Sequence, residues 1–179
     1  MIWLSNSTLA RLRDRLRARG AKPSVAVPSP DMTAENLELI NITAEYGPIC
    51  DAMYLMMSAD GKVGNDEREV LKGALRNLSG DVIRGAHIDS MLDRSAASVA
   101  EKGRDETMAE VVAGLKEDRS RAEVAFVLAA AIAFADNAIA DEENETLNAF
   151  AEGLGIDESR ANALLDEVEA DLAGDAPSS

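Results

Sequence analysis

Ala59-Asp60-Gly61-Lys62-Val63-Gly64-Asn65-Asp66-Glu67-Arg68-Glu69-Val70-Leu71 aligns without gaps on Ala135-Asp136-Asn137-Ala138-Ile139-Ala140-Asp141-Glu142-Glu143-Asn144-Glu145-Thr146-Leu147. Five of the thirteen positions are identical, and Val63/Ile139, Asn65/Asp141 and Asp66/Glu142 are close replacements. At the same offset Leu78 meets Leu154 and Asp81 meets Asp157. Chance matching gives roughly one identity in thirteen, so the chain is read as an internal duplication. In both copies a helical stretch ends in Ala-Asp, and a residue that tolerates left-handed backbone follows, Gly61 or Asn137. An apolar side chain, Val63 or Ile139, then tucks under the loop, and carboxylates open the next helix, where the dipole favours them.

Helical spacing extends from these turns in both directions. Thr33 precedes a stretch with Leu37, Ile40 and Ala44 on one side, interrupted or kinked at Gly47-Pro48 and resuming through Met57. Val70, Leu71, Ala74, Leu75 and Leu78 define a helix over 66–78, and a further helix is expected from Val82 to about Leu92. Within 95–117 only Met108, Val111, Val112 and Leu115 give an apolar face, which predicts one helix there. The longest apolar run, Val124 to Ala135, is too short for the roughly 20 residues of a membrane span and reads as a helix buried on all sides. A helix over 142–152 and a last one capped by Asp157, with Ala161, Leu164, Leu165, Val168 and Leu172 in step, complete the body. No stretch alternates as a strand does. The expectation is an all-α body of seven to nine helices over residues 34–173, its two acidic turns related by a pseudo-twofold, with 174–179 as a tail.

Composition supports this and narrows the function. Aromatic residues make up only 3% of the chain, so the core must be aliphatic, on closely approaching elements. One cysteine, Cys50, and one histidine, His87, exclude a disulfide framework, a cysteine zinc site and a ferritin-like di-iron site. They also leave no nucleophile–base constellation, and a non-enzymatic protein is expected. Cys50 and the Met53, Met56, Met57 cluster read as core filling. His87 reads as a packed or surface histidine. The absence of a signal-peptide pattern predicts a cytoplasmic protein.

Charge is unevenly distributed. Residues 1–33 hold six basic and two acidic residues, whereas the 179-residue chain totals −15. From Asp136 onward thirteen acidic residues face one basic residue, Arg160, which argues against nucleic acid as a partner. Ser7 to about Arg19 reads as a basic helix with a Leu9, Leu12, Leu16 stripe, followed by a connector containing Pro23, Pro28 and Pro30. Residues 1–20 are expected to dock on the acidic body or a second subunit, or to meet an acidic partner or the inner face of an anionic membrane with Trp3 as anchor.

The carboxylates of the two turns admit two readings. Asp66 with Glu69 has capping-box spacing, and dipole stabilisation accounts for Asp66, Glu67, Glu142 and Glu143 without any ligand. It accounts less well for Asp60 and Asp136, which stand near helix carboxyl ends where partial charge is negative. Turn hydrogen bonds to nearby backbone amides would offset this; the other reading is a divalent cation held by Asp60, a loop carbonyl and Glu67, and by Asp136, a loop carbonyl and Glu143, with Asp66 and Glu142 adjacent, where all-oxygen ligation suits calcium or magnesium. An EF-hand is excluded, since positions three, five and twelve are Lys62, Gly64 and Leu71 in one copy and Ala138, Ala140 and Leu147 in the other.

An apolar helix ending in Ala-Asp-Gly, then Val, then Glu at the seventh position after Asp, occurring twice, resembles the tellurite-resistance TerB-like family. The resemblance covers about residues 34–172 and rests on Ala59-Asp60-Gly61-Lys62-Val63 with Glu67, and on Ala135-Asp136 with Ile139 and Glu143. Asn137 departs from the family glycine. The resemblance implies a compact helical domain, an acidic divalent-metal site at these loops, and a role in metal or stress response alongside membrane-associated protein partners. Similar domains in membrane-anchored DnaJ-like co-chaperones imply an interaction module equally well. Two functions are therefore expected: a TerB-like metal-binding stress-response protein, or a helical adaptor whose acidic turns are only caps.

Overall fold

The computed structural model of the protein describes residues 10–14, 30, 31, 33–59, 61, 63–134 and 141–174. Within them the chain is all helical and contains no strand. Seven helices follow one another: α1 (Ala34–Met57), α2 (Asn65–Ser79), α3 (Gly85–Lys102), α4 (Arg104–Leu115), α5 (Arg119–Phe134), α6 (Asp141–Gly153) and α7 (Glu158–Gly174). Residues 10–14 are also helical, and Leu12 is buried in the common core. The remainder of the expected basic helix, the proline-bearing connector over 21–29 and the tail over 175–179 lie outside the described residues.

The centre is the α1–α5 pair, the most extensive helix contact in the molecule. After Glu123, α5 has no charged residue, and Val124–Ala133 are all buried. A helix apolar all round can exist in water only if other helices cover every face. Its alanines at 125, 129, 130, 131 and 133 let neighbours approach, while Ile49, Met53, Leu55 and Met56 of α1 and Phe150 of α6 supply volume. α1 divides in the opposite sense: its first half is exposed or half-buried, and from Ile49 to Met57 every residue but Asp51 is buried.

The division of α1 falls at Pro48, and the helix runs through it instead of breaking. Proline has no N–H to donate to the carbonyl four residues earlier, that of Ala44. Arg121, at the start of α5, fills the role: its Nη2 donates to Ala44 O at 3.0 Å and to Glu45 O at 2.5 Å. A buried guanidinium thus repairs the helix it packs against.

Two sequence expectations are corrected. α3 does not stop near Leu92 but continues to Lys102, because Ser95 is buried and Ala96 and Val99 pack on the core. The single helix expected within 95–117 is then the end of α3 and a separate α4, divided at Gly103, whose φ of 88° favours glycine.

The duplication extends beyond the aligned turns. At a constant offset of 76 residues, Leu71, Ala74, Leu75 and Leu78 of α2 match Leu147, Phe150, Ala151 and Leu154 of α6, and all eight are buried. Ile88 and Leu92 of α3 match Leu164 and Val168 of α7, and all four are fully buried. Each copy is therefore a central helix followed by two outer ones: α1, α2, α3 and α5, α6, α7. Both second helices end in the same left-handed cap: Gly80 N donates to Asn77 O and Asp81 N to Arg76 O, as Gly155 N does to Glu152 O and Ile156 N to Ala151 O.

Candidate functional site

The acidic turns come first because the sequence singled them out. Asp60 and Asp136 lie outside the described residues. Asp66 is exposed in the first turn of α2. Glu67 is half-buried, and its Oε2 accepts from the Gly64 N–H at 2.6 Å. The expected capping pair was Asp66 with Glu69; the cap that forms is Glu67 on Gly64, because α2 begins at Asn65 and its third residue is Glu67. Glu142 is exposed in the first turn of α6, where its carbonyl accepts from Thr146 Oγ1 at 2.7 Å, and Glu143 beside it is half-buried. Among the described residues no three potential ligands converge on a metal-sized site.

A polar cluster inside the first copy was not anticipated. Asp51, the one residue of the inner half of α1 that is not fully buried, lies against α3, where Ser95 Oγ is 2.5 Å from its Oδ1 and 3.0 Å from Met91 O. Burial pushes the Asp51 carboxyl above its ordinary range, opposed by the Ser95 hydrogen bond and by Arg94. The Ser95 hydroxyl, set between the Asp51 carboxyl and the Met91 carbonyl, joins α1 to α3. Cys50 next to it is driven up to about 12 by burial and by the Asp51 charge, so its thiol is an inert core group. His87 is half-buried at the edge of two shallow hollows beside the first half of α1.

Among the described residues the two copies differ between their outer helices. α2 and α3 pack side by side, and two ion pairs join them: Arg68 Nη2 to Asp93 Oδ1 at 2.8 Å, and Lys72 Nζ to Asp89 Oδ2 at 3.2 Å. At the 76-residue offset Arg68 becomes Asn144, Lys72 becomes Asn148 and Asp89 becomes Leu165, while Asp93 becomes Glu169. Neither pair can form. α6 and α7 accordingly pack on α5 but hardly on each other. A groove of about 560 Å³ separates them, floored by Phe126, Leu147 and Leu165 and edged by Asn144, Asn148 and Glu152.

What holds α7 is its link to α5. Arg160 donates through Nε and Nη2 to the two oxygens of Glu123, at 2.9 and 2.7 Å, and Arg119 adds a third bond at 3.2 Å. These bonds, Arg160's foremost, hold the Glu123 carboxyl below its ordinary range against the cost of its burial. Asp157 caps the helix, its Oδ1 accepting from Arg160 N at 2.9 Å as the sequence led one to expect. α7 is thus fixed at one edge and stands away from α6 at the other.

Comparisons with protein-family models, with curated proteins and with solved structures return no match to this chain. Among the described residues no helix is long and apolar enough to cross a membrane.

Proposed function

We propose that this protein is a non-enzymatic helical adaptor that receives a protein partner in the groove between α6 and α7. The observation that carries the reading is the internal comparison: one fold unit occurs twice, closed by ion pairs in the first copy and left open in the second, with apolar Leu165 where the closing aspartate would stand. Partly apolar grooves between helices are the places where bundles take ligands and partner helices. The geometry of Glu67, spent on capping α2, fits the same reading, in which the acidic turns organise helices.

A photo-crosslinking amino acid placed at Asn148, and separately at exposed Ala97 on α3, tests it in the cells that make the protein. A discrete crosslinked protein is expected from position 148 and not from 97. Identical patterns from both positions would remove the adaptor reading. The metal-binding role implied by the TerB-like resemblance makes a different demand. Calcium or magnesium must raise the melting temperature beyond sodium chloride at matched ionic strength, and Asp60→Asn with Asp136→Asn must abolish the rise. That outcome would replace capping by metal binding as the role of the turns.

A further inference from the structure

We infer that the groove's occupant is a basic amphipathic helix, which supplies from outside the cations that the second copy has lost. The inference rests on the adaptor reading and specifies the partner's chemistry.

In the first copy two cationic side chains one turn apart, Arg68 and Lys72, rise from α2 to meet carboxylates on α3. In the second copy the cations are gone, but a carboxylate, exposed Glu169, stands where Asp93 does. The surroundings are strongly anionic: residues 141–174 carry eleven Asp and Glu against the single Arg160, which is committed to Glu123. An acidic partner would be repelled, and a neutral one would leave that charge unanswered.

The floor defines the rest of the occupant. Half-buried Ile156, Ala161 and Leu165 offer an apolar strip above buried Phe126 and Leu147, and Asn144 and Asn148 stand beside it, four residues apart on α6. A helix with apolar residues at i, i+3 and i+7 and with lysine or arginine one turn apart on its flank meets both features. The volume of about 560 Å³ holds a few side chains, as a helix laid along the groove presents, and does not enclose the helix itself.

The test uses the full-length protein and a fluorescein-labelled helical peptide of about five turns, with leucines at that spacing and arginines and lysines elsewhere. Its counterpart replaces every basic residue by glutamate. Anisotropy at about 0.15 M salt is expected to give saturable binding of the basic peptide only. Asn148→Lys with Leu165→Asp rebuilds the Lys72–Asp89 clamp without changing net charge, and is expected to weaken binding about tenfold or more by closing the groove. Asn144→Arg, which rebuilds the other clamp onto Glu169, should weaken it as well. Ala97→Lys, which adds the same charge on α3, should change it less than about threefold. Circular dichroism melts establish that each variant is folded, and either clamp alone suffices for the test.

Absence of saturable binding, equal binding of the acidic peptide, or equal weakening by Asn144→Arg and Ala97→Lys overturns the inference. So does concentration-dependent self-association that the clamp variants abolish, which would assign the groove to a second copy of this chain. A specific crosslink from position 148 combined with failure of the basic peptide would retain the adaptor and remove only the basic partner.

Discussion

Replacing Arg121 by methionine should destabilise the protein by about 1–3 kcal/mol, because it strips the donor from Ala44 O, which Pro48 leaves without a helical partner, while keeping the apolar stem. Arg121 is 7% exposed, and its Nη2 serves Ala44 O and Glu45 O. A carbonyl left unsatisfied costs about 1–3 kcal/mol. Relief of the buried guanidinium's desolvation offsets part of that. For a chain of this size each kcal/mol moves the melting temperature by about 2–4 °C, giving a fall of roughly 2–12 °C. Urea unfolding followed at the helical circular-dichroism band gives the free energy, and a second substitution identifies its source. Pro48→Ala restores an N–H for Ala44 O, so the cost of Arg121→Met in that background should shrink by about 1 kcal/mol. A melting temperature within about 2 °C of the parent, or a cost undiminished by Pro48→Ala, would refute the repair argument.

Three other outcomes follow from described contacts. Burial raises the Asp51 pKa above its unfolded value, so its contribution to stability is present below the unfolded pKa and is lost as pH rises through the folded one; Asp51→Asn should therefore gain stability at pH 7 and lose that advantage near pH 3, as read from urea midpoints at the two pH values. Glu123 is depressed by Arg160, so its contribution is present above the unfolded pKa and lost as pH falls through the folded one. Arg160→Ala should cost about 1–3 kcal/mol at pH 7, less at pH 3, with hydrogen exchange rising first in α7. Gly153→Ala should gain up to about 1 kcal/mol from helix propensity alone, yet a Cβ there would lie 2.9 Å from Val112 Cγ2, so we expect a net loss of about 1–3 kcal/mol that Val112→Ala restores in thermal melts.

Much of the fold was written in short-range patterns. The run from Val124 names a helix that cannot face water, and the paired Ala-Asp turns announce the duplication. α3 was shortened in the reading because Arg94, Ser95, Ala96 and Ala97 carry little amphipathic signal; its continuation depends on Ser95 meeting Asp51 and Met91 on other turns and helices. The cap on α2 was misplaced by two residues because two glutamates offered the same spacing, and only the true start of the helix decides between them. The groove was half visible. Arg68 against Asn144 stood in the alignment, but its meaning depends on Asp93, a helix away and joined to it only by the fold. Leu12, one residue of the predicted basic helix, is buried in the body, which accounts for one leucine of that stripe.

The shared centre sets a timetable for synthesis. The apolar half of α1 ends at Met57, and the helix that packs on it most extensively is complete only at Phe134. At about 5–20 residues per second, Ile49 to Met57 leaves the ribosome and waits roughly 4–15 s for its partner, a long interval for a greasy, methionine-rich segment. A nascent chain ending after α4 has one whole repeat and no finished interior. The repeat is thus a unit of ancestry and not of folding, because the central helices of the two copies complete each other's interior.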